Sequence, residues 1–368
     1  MKKRVIAMMV AGLVATGVLV GCGGSSSEGG DTAATGGKEA MKVGMITDSG
    51  TIDDKSFNQG TWEGILSAKE NLGIQEKYLQ PKGETEADYL REITNMYDAG
   101  NKFIVTPGYK FETAIYKAQE KYKDAKFVLI DGMPKETQDS DGKVGENTVS
   151  IFYAEHESGF LAGVATALEV KEGDVGFIGG LRIPPVQKFN WGFQQGVAYA
   201  NEHYKTNVSI KEENVIYAES FNDVAKGQQL AATMYDKGVK AIFASAGKVG
   251  VGVITEAKTR ATKGETAWVV GVDVDQYQDG VYADGKSVIL TSATKKIGKS
   301  AEDMIKNELE GKFPGGQTFI VDVKTDDVGL PAENPNLSED TLTKVKEVIE
   351  LMKKDEVKVS GEKGELIG

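Results

Sequence analysis

The residue types best suited to chemistry cluster in one short loop. After the apolar run Val43-Gly44-Met45-Ile46 come Asp48, Asp53 and Asp54, and then Phe57 and Asn58 side by side. Carboxylates accept hydrogen bonds, an amide both donates and accepts, and an aromatic face stacks on flat rings. Such a set suits a flat, polar ligand. The three carboxylates would also serve as an acid and base for hydrolysis. A plainer reading makes Asp53 or Asp54 a helix cap and turns Phe57 into the core.

Similar residues close other apolar runs. Asp131 follows Val128-Leu129-Ile130, and Asp273 follows Trp268-Val269-Val270-Gly271-Val272. Phe189, Asn190, Phe221 and Gly247 fall in loops or helix starts of the second half of the chain.

The elements that must position these residues alternate. Apolar runs predict strands at 43–47, 103–106, 127–130, 174–179, 214–218, 240–244, 268–272 and 287–291. Helical periodicity fits 56–72, 86–99, 111–122, 155–169, 188–204, 222–237, 248–262, 294–310 and 338–353. This alternation predicts parallel sheets covered by helices. Loops at the carboxyl ends of the strands are where open α/β folds bind ligands.

The pattern is written twice. Gly44-Met45-Ile46 is echoed by Gly176-Phe177-Ile178, and Phe57-Asn58 by Phe189-Asn190, both 132 positions later. Met96-Tyr97-Asp98 returns as Met234-Tyr235-Asp236, 138 positions later. Two similar α/β lobes imply a clamp that closes on a ligand by hinge motion. The expected division is lobe one at about 41–152 plus 274–316, and lobe two at about 153–273 plus 317–355. Three connections would then cross between lobes.

Composition narrows the partners. The formal charge is −12, and −15 once Lys2, Lys3 and Arg4 are removed with a leader. That argues against nucleic acid and against electrostatic adhesion to anionic lipid. Two histidines, one cysteine and no metal-ligand spacing argue against zinc, and no cofactor fingerprint is present. Lys2 to Arg4, the apolar run Val5 to Val20 and Leu19-Val20-Gly21-Cys22 read as a secretory signal ending in a lipobox. Residues 1–21 would be removed and Cys22 lipidated. Residues 22–40 would then form a flexible tether with a reach of roughly 20–25 Å.

The chain resembles the BMP family of bacterial lipoproteins, of the purine nucleoside receptor A type. The resemblance rests on Cys22, on Thr47-Asp48-Ser49-Gly50 through Asp53-Asp54-Lys55-Ser56-Phe57-Asn58-Gln59-Gly60, and on Val128-Leu129-Ile130-Asp131. It continues in Glu219-Ser220-Phe221-Asn222-Asp223, Val272-Asp273-Val274-Asp275-Gln276 and Thr291-Ser292-Ala293-Thr294-Lys295. It implies a two-lobed fold of the type I periplasmic-binding-protein kind and a purine nucleoside in the cleft. Phe57 and Phe221 would stack on the base, while Asp48, Asn58 and Asp131 would contact the base edge. Asp273, Lys295 and the backbone at Gly247 would hold the ribose. It further implies a monomer anchored at the outer face of the cell membrane, with the permease and ATPase of an ABC importer as partners and no catalysis. The alternatives are a sugar or signal-molecule receptor on the same fold, or a nucleoside hydrolase built on Asp48, Asp53 and Asp54.

Overall fold

The computed structural model describes residues 40–368. The leader, Cys22 and the tether to residue 39 lie outside the described residues. The chain runs β1 (Lys42–Ile46), α1 (Phe57–Leu72), β2 (Gln75–Leu79), α2 (Glu86–Asp98), β3 (Phe103–Pro107), α3 (Glu112–Lys121), β4 (Lys126–Ile130) and β5 (Thr148–Tyr153). It continues with α4 (Glu155–Val170), β6 (Glu172–Gly179), α5 (Pro184–Tyr204), β7 (Asn207–Tyr217), α6 (Val224–Asp236), β8 (Ala241–Ser245), α7 (Lys248–Ala261) and β9 (Trp268–Asp273). A small hairpin, β10 (Val281–Ala283) and β11 (Lys286–Ser287), leads to β12 (Ile289–Lys295). Then come α8 (Ile297–Leu309), β13 (Thr318–Val321), β14 (Val328–Gly329) and α9 (Glu339–Lys353).

Two six-stranded sheets result, ordered β2-β1-β3-β4-β5-β13 and β7-β6-β8-β9-β12-β14. Every pairing in them is parallel except β12 with β14. Up to the last strand the two orders are the same, so the sequence repeat is a repeat of topology. The central strands β3 and β8 are buried along their whole length, as parallel strands covered on both faces should be. Within the second lobe, α4 and α5 approach until side chains no longer fit between them. A Cβ on Gly163 would lie 2.3 Å from the Phe193 carbonyl oxygen, and one on Gly192 would lie 2.0 Å from that of His156.

The chain crosses between lobes three times: Tyr153 to Glu155, Lys295 to Ile297, and Val321 to Val328. These crossings correct the expected division. Residues 274–316 do not all belong to lobe one, because Ile289–Lys295 pairs in parallel with β9 in the second sheet. Only from Ile297 does the chain rejoin lobe one, where α8 packs on α1 and buries Ile297, Ala301 and Ile305 in the core around Val43 and Met45. Nor do residues 317–355 all lie in lobe two, since β13 adds to β5 at the edge of the first sheet. The physical reason is local. The apolar run ending in Ile289-Leu290 finds a buried berth beside β9, whereas Thr318–Val321 alternates exposed and half-buried and serves as an edge.

Candidate functional site

In each sheet the strand order reverses between the first and third strands of its lobe, β1 and β3 in one, β6 and β8 in the other. The crevice beyond such a reversal is where open α/β sheets hold ligands. The two crevices face each other across a cavity of about 560 Å3, its mouth included. Asp48, Phe57, Asn58, Asp131, Phe221, Gly247, Asp273 and Lys295 all line it. Residues scattered over almost 250 positions thus meet in one place. The loop after β3 adds Tyr109, and the start of α5 adds Ile183, Pro185, Val186 and Phe189.

The first loop works as a unit. Asp54 starts α1, accepting the backbone N–H groups of Ser56, Asn58 and Gln59 at 2.9–3.0 Å. The plain capping reading therefore holds for Asp54. Asp53 points outward to Lys248 at 2.9 Å. Phe57 stays half-buried on the cavity wall rather than in the core. Asn58 lies on the wall but has its amide fully engaged. Its Nδ2 donates to Asp48 at 2.9 Å and to Asp54 at 2.8 Å, and its Oδ1 accepts the Asp48 N–H at 3.2 Å. It orients Asp48, which also accepts the Gly50 N–H. Burial pushes the Asp48 carboxyl up to about 6, against the hydrogen bonds from Gly50 and Asn58.

A second group gathers around one buried cation. Lys295 Nζ stands 2.6 Å from Asp131, 3.6 Å from Asp273 and 3.6 Å from Glu155. Burial works against its charge, but the three carboxylates outweigh it and keep the lysine protonated well above its ordinary pKa. Its ammonium also lies 4.8 Å from the Phe57 ring centre. Asp273 accepts from the Ser56 hydroxyl, and burial raises its pKa despite Lys295 and Ser56. Glu155 is raised likewise, by burial first and the Asp131 charge second. Asp131 and Asp273 close the equivalent strands β4 and β9, and both sit at positive φ, 56° and 65°. That shared backbone twist turns both carboxylates to the same lysine. One Asp131 oxygen, Oδ1, is buried with no hydrogen-bond partner.

Two expectations shift with this geometry. Asp131 falls with Lys295 and Asp273, not with Asp48, because it ends the fourth strand of its sheet rather than the first. Asn58 is tied into the protein's own network instead of offering its amide to the cavity. Phe189 contributes to the wall but packs edge-on against Phe243 at 5.7 Å in the second-lobe core. Its neighbour Asn190 turns away to hold the Ile367 carbonyl. Phe221 rests where a side chain on Gly180 would be, since a Cβ there would come 2.2 Å from its ring. Glu155, Ser56 and Tyr109 are site residues that the sequence alone does not single out. For Tyr109 a signal existed: it follows the third strand of its lobe, the flank of the reversal point.

Among the described residues no group of His, Cys, Asp and Glu is placed to hold a metal ion, and no helix is long and apolar enough to cross a membrane.

Two parallel-sheet lobes with a cavity between their facing strand ends have the architecture of a bilobed ligand-binding clamp. Residues 41–363 match the Bmp family, described as ABC transporter substrate-binding protein PnrA-like, and the chain belongs to that family. It is 34% identical to the CD4+ T-cell-stimulating antigen of Listeria monocytogenes serovar 1/2a, over 98% of this chain and 99% of that protein. It is 33% identical to the ABC transporter nucleoside-binding protein BmpA of Lactococcus lactis subsp. cremoris, over 91% of this chain and 93% of that one. Among solved structures, a solute-binding protein of an ABC transporter system from Aeropyrum pernix K1 superposes with a TM-score of 0.74 at 24% identity. It covers 88% of this chain and 94% of its own.

Proposed function

We propose that this protein captures purine nucleosides such as guanosine, inosine and adenosine between its lobes. It delivers them to the permease and ATPase of an importer, from an anchor at Cys22 on the outer face of the cell membrane. The observation that carries the reading is Asp131 Oδ1, a buried acceptor without a donor beside a second carboxylate, Asp273. A buried carboxylate pair bound by one lysine calls for a ligand with several hydroxyl donors. A phosphate is disfavoured on the same ground, since Asp48, Asp54, Asp131 and Asp273 line the cavity and Lys295 is the one buried lysine among the described residues. Phe57 and Phe221 on the walls supply faces for a flat base, each worth about 1–3 kcal/mol. The name of the lactococcal relative, a nucleoside-binding protein, supports the same ligand class. Asp48, oriented by Asn58, takes the base edge, and Asp131, Asp273 and Lys295 take the ribose.

Titration calorimetry with guanosine, inosine and adenosine should show binding to each, while chromatography of the same mixtures shows no free base. Absence of binding to all three would refute the proposal. Release of base at catalytic turnover would replace it with a hydrolase.

Asp48 makes binding pH-dependent. Purine N–H donors favour the ionised carboxylate, so a bound ligand lowers the Asp48 pKa below its free value of about 6, and binding in this range releases a proton. Affinity for guanosine should therefore fall about tenfold between pH 7 and pH 5. Asp48→Asn should flatten that profile and reorder the three nucleosides. A wild-type affinity constant over this range would remove Asp48 from the base edge.

A further inference from the structure

Besides a looser Lys55–Asp279 pair at 3.5 Å, three side chains of lobe two grip the lobe-one loop from outside the cavity. Asn222 Nδ2 donates to the Ser49 carbonyl at 2.6 Å. Lys248 Nζ meets Asp53 Oδ1 at 2.9 Å. Gln276 Nε2 donates to the Lys55 carbonyl at 2.7 Å, a carbonyl turned outward where Lys55 takes φ 59°. None of the six residues in these three contacts lines the cavity. Yet five of them are immediate neighbours of residues that do. Ser49 lies between Asp48 and Gly50, Asp53 precedes Asp54, and Lys55 lies between Asp54 and Ser56. Asn222 follows Phe221, and Lys248 follows Gly247.

The arms from lobe two are preset. Gln276 is 3% exposed, with its Oε1 accepting the Val272 N–H at 2.9 Å and its own N–H donating to Ser292 Oγ. It has room only because residue 271 is glycine, where a Cβ would lie 2.6 Å from Oε1. The Asn222 N–H donates to Ser220 Oγ, and Asp223 caps α6 one residue on. On the lobe-one side, Asp54 fixes the end of the loop through three backbone N–H groups. Two stiff segments thus meet through a few bonds that form only when the lobes are together.

We propose that Asn222, Lys248 and Gln276 are positioning residues that clasp the loop of residues 49–55 and set how long a ligand stays, without touching it. Because each clasp bond sits one residue from a cavity wall, closure and wall placement are one event. A ligand leaves only after the clasp opens, so losing a bond accelerates departure and leaves arrival nearly unchanged. The ligand arm of the test rests on the nucleoside reading, whereas the clasp itself does not.

The test compares wild type, Asn222→Ala and Lys248→Ala by stopped-flow dissociation of inosine, with small-angle scattering of the ligand-free proteins. Asn222→Ala should release inosine roughly five- to tenfold faster, with association within about twofold. Lys248→Ala should release it about twofold faster and lose the salt dependence that the exposed Lys248–Asp53 pair imposes. Both ligand-free variants should scatter as a more open population than wild type. Melting temperatures near wild type would show that the loops still fold. Unchanged dissociation in both variants would overturn the clasp. If no nucleoside bound at all, the proposed function would fail separately. Unchanged scattering would then overturn the clasp on its own.

Discussion

Lys295→Met is expected to lower the melting temperature by on the order of 10 °C at pH 8, the largest stability effect of any single change near the cavity. Methionine keeps an unbranched apolar stem but loses the ammonium that lies 4.8, 5.2 and 5.6 Å from the Phe57, Tyr153 and Phe189 ring centres. What disappears is, among the described residues, the one buried cation facing Asp131, Asp273 and Glu155. Removing one partner from a buried charge cluster costs about 3–5 kcal/mol, because the remaining charges stay desolvated without compensation. Among the described residues Lys188, 3.9 Å from Glu155, is the cation left nearby. The pH dependence gives the mechanism away. The folded pKa values of Glu155 and Asp273 lie above their ordinary ones, mainly through burial. Such groups bind more protons folded than unfolded, so their contribution to stability grows as pH falls and is lost as it rises. Without Lys295 they move higher still. The gap between variant and wild type should therefore narrow from pH 8 to pH 5. Thermal unfolding followed at several pH values checks it. A gap that stays constant would mean that the lysine matters for packing and not for charge.

How far the sequence carries can be judged from particular elements. All nine predicted helices occur among the described residues, several within two residues of their expected ends, because most bury one face in a 3.6-residue period; α4, buried without a break from Ser158 to Leu168, is the exception. Apolar runs mark the long buried strands, so strands with a short, interrupted or absent run are not visible in the sequence. β2 reads Gln75-Glu76-Lys77-Tyr78-Leu79 and is mostly exposed at an edge. β5 is almost fully buried but carries Thr148 and Ser150 in its interior. β13 leaves Ile320 72% exposed. No pattern of hydrophobicity marks a strand whose place comes from its neighbours.

The site was legible to a different degree. The placement of Asp48, Phe57, Asp131 and Asp273 in loops that close repeated strands is legible in the sequence, whereas the repeat pairs Phe57 with Phe189 and only the family resemblance points to Phe221. Which of them share a partner is not legible, because that is a tertiary fact. Lys295 ends β12, next to β9, and this strand order brings its ammonium to Asp131 of the other lobe. Asn58 shows the other limit. Its spacing from Asp54 fits a helix start and its residue type fits a ligand contact. Only the geometry shows its amide closed between two aspartates.

The regrouping of Asp131 leads to the sharpest expected effect on binding. If Asp131 and Asp273 hold the ribose diol of a nucleoside, 2′,3′-dideoxyinosine should bind about ten-thousandfold more weakly than inosine. The base, the stacking faces and Asp48 are identical for the two ligands. The difference lies in two hydroxyls and in what their absence leaves behind. Asp131 Oδ1 is already buried without a donor. In a closed cleft filled by the dideoxy compound it would remain so, with water excluded as well. Sites built around such groups reject the analogue that lacks the hydroxyl by about four to five orders of magnitude, because buried acceptors are left unpaired. A tenfold step corresponds to about 1.4 kcal/mol, so the expected loss is about 5–6 kcal/mol. Asp131→Asn separates this from the base-edge role. It should weaken guanosine, inosine and adenosine alike and shrink the penalty for losing the diol, since the hydroxyls then meet a poorer acceptor. Were Asp131 at the base edge, the same variant would reorder the three nucleosides and leave the diol penalty intact. Competition calorimetry of inosine against its dideoxy analogue, on wild type and Asp131→Asn, measures both quantities. Comparable affinities for the two ligands on the wild-type protein would remove the ribose from the Lys295 cluster.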